Sequence, residues 1–211
     1  LCTAVFVALS GPIMWVIGGG TGEIGARANG TVLVAYMLGL VPFASLYLIK
    51  RLFYAYEDAR APFLMQIPIA AITLLSVPVI LTVVDPRWAA MAAAGTTSLG
   101  NLAAWAVGLL MLRRQAARLG VEPPGIRKGA VVLAKLLAAG VVAWLLGTGL
   151  VQLTEGLIWS HRVWAIVLGS LIGAVMSAVF LGLTWLLRVD EVRWLIGIVQ
   201  RRVLRRARST S

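Results

Sequence analysis

The sequence predicts an all-α fold, a polytopic bundle of transmembrane helices, and three observations carry that prediction. Of the 211 residues, 60% are hydrophobic and only 13% are charged, with a mean hydropathy of +0.92, whereas soluble domains hold about a quarter charged residues. Several apolar runs reach the roughly 20 residues that a helix needs to cross a bilayer core. No run alternates as a membrane β-barrel strand does, which leaves helices.

Six spans follow from the apolar runs. The first, 2–18, reads CTAVFVALSGPIMWVIG and is short. The others cover 31–54, 63–84, 88–112, 129–153 and 163–187, lengths that cross a core of roughly 30 Å at about 1.5 Å rise per residue. The chain begins inside an apolar run with no charged stretch ahead of it, as a fragment lacking its N-terminal part would. Breakers separate the spans. They are a glycine-rich loop GGGTGEIGARANG at 18–30, a tight turn DPR at 85–87, the proline-bearing RLGVEPPGIRKG at 118–129, and TEGLIWSHR at 154–162. Trp88, Trp159 and Trp164 fall at span ends, where indole favours the membrane interface.

Orientation follows from the basic residues, because short loops rich in Lys and Arg stay on the cytoplasmic side. Lys50, Arg51 and Arg60 lie in one connector, and Arg113, Arg114, Arg118, Arg127 and Lys128 in another. Arg188, Arg193, Arg201, Arg202, Arg205, Arg206 and Arg208 lie in the tail. The alternate connectors carry only Arg27, Arg87 and Arg162. This alternation puts the connector 51–63 and the C-terminus in the cytoplasm. The net charge of +11 is thereby explained by topology, and no nucleic-acid partner is expected.

The connector itself, RLFYAYEDARAPF, concentrates charge and aromatics between apolar runs. Tyr54 and Tyr56 are placed at headgroup depth, and Glu57, Asp58 and Arg60 are expected to pair within the loop. Pro62 suits the first turn of the next helix, where its missing N–H goes unmissed. The longer stretch GLVPFASLYLIKRLFYAYEDARAPF, 39–63, resembles the signature of the MviN/MurJ family, the lipid II flippases of bacterial peptidoglycan synthesis, within the multidrug/oligosaccharidyl-lipid/polysaccharide exporter superfamily. The matching positions are Gly39, Arg51, Phe53, Tyr54, Ala55, Asp58, Arg60 and Pro62. ALSGPIMWVI, 8–17, is similar to the family's preceding helix. Ala61 departs from the family's usual threonine, and the DAR-X-Pro ending is most similar to actinobacterial members.

The resemblance implies fourteen helices in two bundles, of which this chain resembles the last six. It implies a plasma-membrane protein translocating a polyprenyl-pyrophosphate-linked peptidoglycan precursor by alternating access, with membrane lipids as further partners. It also implies that the final two helices form a groove for the lipid tail. Another exporter of the same superfamily, or a non-transporting scaffold that recruits cytoplasmic cell-wall regulators, stands as an alternative.

Apart from Lys50 and Arg51 near the end of 31–54, Lys135 is the one charge within the spans, and an ionisable group there reaches water, a partner or a substrate. It is expected to snorkel to the interface or to hold a lipid phosphate. Gly169 and Gly173, in GSLIG, make a small-xxx-small pattern that suits close helix packing or the lipid groove. Pro42, Pro68 and Pro78 are expected to bend their spans, and Asn101 to hydrogen-bond between helices or line a cavity. The tail, 189–211, spaces Val192, Leu195, Ile196, Val199 and Val203 among arginines, as an amphipathic helix on the inner leaflet does. One cysteine, Cys2, and one histidine, His161, form no disulfide or metal-ligand set. No catalytic grouping or phosphate loop is present, so neither an enzyme activity nor a cofactor is expected.

Overall fold

A computed structural model describes residues 1–18, 22–120 and 126–187, and among them all regular structure is α-helical. The order is α1 (Cys2–Ala8), α2 (Ser10–Ile17), α3 (Gly22–Leu38), α4 (Leu40–Ala55), α5 (Arg60–Val83), α6 (Pro86–Arg118), α7 (Ile126–Leu153), α8 (Glu155–Ser160) and α9 (Arg162–Leu186). Five stretches are long and apolar enough to cross a membrane: Gly22–Ala55, Arg60–Val83, Pro86–Arg118, Val131–Leu153 and Arg162–Leu186. The amphipathic tail expected over 189–211 lies outside the described residues.

Prolines account for two breaks. The ring of a proline clashes with the carbonyl four residues earlier and cannot donate to it. Pro12 therefore acts on Ala8, where α1 ends, and Leu9 separates it from α2. The first predicted span is thus two short helices. Pro42 acts in the same way on Leu38, where α3 ends before Gly39. There the Gly39 N–H turns to the Tyr36 carbonyl at 3.1 Å, and the Ser98 hydroxyl of α6 donates to the Ala35 carbonyl at 2.6 Å. Pro68 and Pro78, by contrast, leave α5 unbroken. The interhelical bond expected of Asn101 is made one turn earlier, by Ser98. Asn101 makes no side-chain hydrogen bond among the described residues.

Three expected loops are shorter than the composition suggests. Residues 22–30 of the glycine-rich stretch are helical, as the first turns of α3. Glu23 and Arg27 pair across one turn there, and Gly30 lets α3 approach α2, a Cβ at Gly30 falling 3.2 Å from the Gly11 nitrogen. DPR is a helix start: the Asp85 carboxylate accepts from the Arg87 N–H at 3.1 Å, with Pro86 opening α6. TEGLIWSHR holds α8, whose Ile158 is fully buried. Helix α6 also runs past its predicted end to Arg118, so Arg113 and Arg114 ride on helix.

Packing divides the helices into two groups. In one, α3, α4 and α5 pack on α6, and Leu46, Ile49, Phe53, Ala61, Met65 and Ala104 form a buried cluster. In the other, α7 and α9 pack together through Ala139, Ala143 and Phe180. The first apolar segment joins them, α1 lying on α7 and α2 on both α3 and α9. Ala8, Leu9, Ile158, Ala165, Ile172 and Met176 form the core of that junction. Large apolar side chains such as Phe63, Leu74, Leu81 and Leu171 face outward, the arrangement expected where the solvent is lipid.

The α3–α4 break is the tightest test of this packing, since a Cβ on Gly39 would lie 2.7 Å from Ser98 Cα. Gly39→Ala forces backbone apart and is expected to destabilise the bundle by about 1–3 kcal/mol. Ser98→Ala removes one interhelical hydrogen bond, worth about 0.6 kcal/mol in membrane proteins. Thermal unfolding in detergent micelles measures both, and an unchanged midpoint for Gly39→Ala contradicts the close approach.

Candidate functional site

The motif-bearing connector is shorter than 51–63, since α4 runs to Ala55 and α5 starts at Arg60. Helix α4 ends in paired reversed bonds: Glu57 N–H donates to the Tyr54 carbonyl at 3.0 Å and Asp58 N–H to the Phe53 carbonyl at 3.1 Å. This is a Schellman end, which places one residue in the left-handed region. That residue is Glu57, at φ 57°, where glycine is usual and other residues are held at a cost of roughly 1–2 kcal/mol.

Asp58 turns the chain straight into the next helix. Its carboxylate accepts from the N–H groups of Arg60 and Ala61, at 3.0 and 3.3 Å. These are orphan donors of the first turn of α5, and a negative group is favoured at that helix end. The intraloop pairing expected of Glu57, Asp58 and Arg60 is therefore absent. No ion pair among the described residues involves them, because the Asp58 carboxylate is engaged by backbone. Pro62 occupies the first turn of α5, as expected, and is buried beside Ala61. Phe53 is buried against Leu46, Ile49 and Met65, so the positions matching the family signature divide by role. Phe53, Asp58 and Pro62 build the corner, together with the non-matching Ala61. Arg51, Tyr54, Ala55 and Arg60 are exposed, with Arg51 lying over the Tyr47 ring at 5.2 Å.

Lys135 reaches the end of α9, donating from Nζ to the Leu187 carbonyl at 2.9 Å. A cation suits the carbonyl end of a helix, and the bond closes α7 onto α9 at this end of the bundle. Leu136, Leu183 and Leu187 pack against the cluster of Ala139, Ala143 and Phe180.

Gly169 and Gly173 line an apolar groove of about 400 Å³, with Val5, Leu9, Ile13 and Ile166 among its walls. The groove runs between α1–α2 and α9. The resemblance implied one formed by the last two long helices; α7 and α9 pack on each other at Gly147, where a Cβ would overlap the Met176 sulfur. Gly169 has open space where its Cβ would be, and Gly173 sits 3.6 Å from Leu9 in the same sense. Close helix approach is thus provided by Gly147, Gly30 and Gly39.

At the opposite end lies a cluster that the sequence reading missed. The Arg27 guanidinium pairs with Glu23 at 2.8 Å and with Glu155, and lies 4.6 Å from the centre of the Trp159 ring. Trp159 tilts against Trp15 at 5.6 Å, and Arg162 lies over Trp15 at 5.6 Å. The spacing of Glu23 and Arg27 signals one helical face; nothing in the sequence signals Glu155, which is 128 residues away. All the ion pairs among the described residues are at this end, including Arg87–Asp85. Arg51, Arg60, Arg113, Arg114 and Arg118, at the motif end, pair with no carboxylate among them. No grouping of three His, Cys, Asp or Glu side chains occurs among the described residues.

Two substitutions check this assignment of roles. Asp58→Ala is expected to cost about 1 kcal/mol through loss of the cap, and Asp58→Asn to retain most of it. Hydrogen exchange at the Arg60 and Ala61 amides reads the difference directly. Lys135→Met is expected to speed exchange in the last turn of α9, with a loss of about 1 kcal/mol; unchanged protection there would refute the cap.

The family model described as lipid II flippase MurJ matches residues 1–163. That range covers α1 to α8 and the start of α9, with the motif corner inside it. No solved structure matches the chain. A match over well over half the sequence, on an all-helical bundle with five apolar stretches of spanning length, identifies the chain as a multi-pass membrane protein that belongs to the MurJ family of lipid II flippases.

Proposed function

We propose that the chain works in a flippase carrying a polyprenyl-pyrophosphate-linked peptidoglycan precursor from the inner to the outer leaflet, without catalysing any covalent step. The family match across residues 1–163 carries this reading. The separation of charge supports the orientation it needs. Among the described residues, Arg51, Arg60, Arg113, Arg114 and Arg118, which pair with no carboxylate, gather at the motif end, which faces the cytoplasm, while the paired Arg27 and Arg87 lie at the other with Arg162. In this arrangement the corner built by Asp58, Ala61 and Pro62 sets the angle between α4 and α5 at the inner surface, and the exposed Arg51 and Arg60 face anionic headgroups. The groove beside Gly169 and Gly173 offers an apolar wall to a prenyl chain. The basic tail, 189–211, holds to the inner leaflet.

Complementation tests the activity. The protein at its natural length is expected to restore growth to cells depleted of their own flippase, and lysis despite correct insertion would remove the assignment. Lys135→Ala is expected to keep growth, because its role is to close a helix end; loss of growth with normal insertion would make it a substrate contact instead. Topology has its own check. Cysteines placed at Glu23 and Arg118, in a Cys2→Ser background, are expected to react and to stay silent, respectively, with an impermeant thiol reagent on intact cells.

A further inference from the structure

The α7–α9 hairpin makes its main contacts with its own members and with α1 and α2, while α3–α6 form a separate packed group. Besides α1 and α2, which each pack on both groups, two features bear on how the groups are joined. One is the break at Leu9, where the chain passes from α1, packed on α7, to α2, packed on α3. With Pro12 unable to bond back to Ala8, that point lacks one rung of the helical ladder. The other is the Arg27 cluster, in which a side chain of α3 reaches across to Glu155 and Trp159 of α8, the turn of the hairpin.

We infer that Arg27 is a strap: it ties the hairpin to the α3–α6 group at the outer end, and so fixes the width of the apolar groove between α1–α2 and α9. The hairpin swings about the Leu9–Pro12 break when the strap is released. The geometry suits the task. The guanidinium is held between two carboxylates, one on its own helix and one on the hairpin, so Glu23 fixes the approach of Arg27 while Glu155 makes the tie. Its lower face rests on Trp159, which Trp15 of α2 buttresses in turn. At the inner end Lys135 closes α7 on α9, so the hairpin moves as one body. The groove walls belong to both sides of the break, with Ile17 on α2 and Ile166 on α9. The inference concerns a motion and does not rest on the transported substrate.

Spin labels at Ile17→Cys and Ile166→Cys, in a Cys2→Ser background, report the groove width by pulsed electron–electron distance measurement. A second pair at Leu74→Cys and Leu99→Cys reports the α5–α6 packing as a control. With Arg27 present, the groove distance is expected to be narrow. In Arg27→Gln it is expected to broaden toward longer values by roughly 2 Å or more, the scale of helix shifts at packed interfaces, with the control pair unchanged. The swap Arg27→Glu with Glu155→Arg again sets one cation between two carboxylates and is expected to restore the narrow distance. An unchanged groove distance in Arg27→Gln, a control pair that broadens with it, or a swap that stays broad would each overturn the strap. Should Arg27→Gln fail to insert, the swap decides alone: narrow supports the strap and broad refutes it.

Discussion

A peptide N–H or C=O left without a partner in hydrocarbon costs several kcal/mol, and the polar side chains of this bundle are largely arranged around that cost. Asp58 accepts from the open end of α5, Asp85 from that of α6, and Lys135 donates to the carbonyl of Leu187, the residue that caps α9. Ser98 reaches between helices to the Ala35 carbonyl, next to the break that Pro42 imposes. In each case a charged or hydroxyl side chain is engaged by main chain, Lys135, the expected phosphate contact, among them. The same constraint explains why Pro62 and Pro86 stand in first turns, where no N–H is required.

A second consequence concerns the family signature. Conspicuous charge in the 51–63 stretch invites a reading in terms of binding, yet half of the motif is architecture. The Schellman end at Glu57, the Asp58 cap and the burial of Phe53, Ala61 and Pro62 together make a four-residue corner between two membrane helices. Such a corner holds α4 and α5 in fixed register while presenting Arg51 and Arg60 outward. Ala61 is almost wholly buried; its methyl group fills the site without a hydroxyl that would need a partner.

Small residues do the remaining work of assembly. Lipid tails are as apolar as leucine, so helices associate by close van der Waals contact. Gly30, Gly39 and Gly147 mark the α2–α3, α3–α6 and α7–α9 seams. The glycines of GSLIG, which have the spacing of a packing motif, border an open groove instead. Spacing shows that a face is smooth, and only the neighbour shows whether something lies against it.

The sequence by itself determined the fold class and the alternation of charge between connectors, because these depend on local composition measured against a slab of fixed thickness. It also placed Pro62 in a first turn, whereas at Asp58 it pointed to ion pairing in place of the backbone cap. Only the tertiary structure decided that residues 22–30 are helix, that Pro42 breaks a span while Pro68 and Pro78 do not, and that the groove lies between α1–α2 and α9. It alone brought Glu155 to Arg27 and Leu187 to Lys135. Those outcomes turn on partners separated by tens of residues or more, and a one-dimensional pattern holds no record of which surfaces meet.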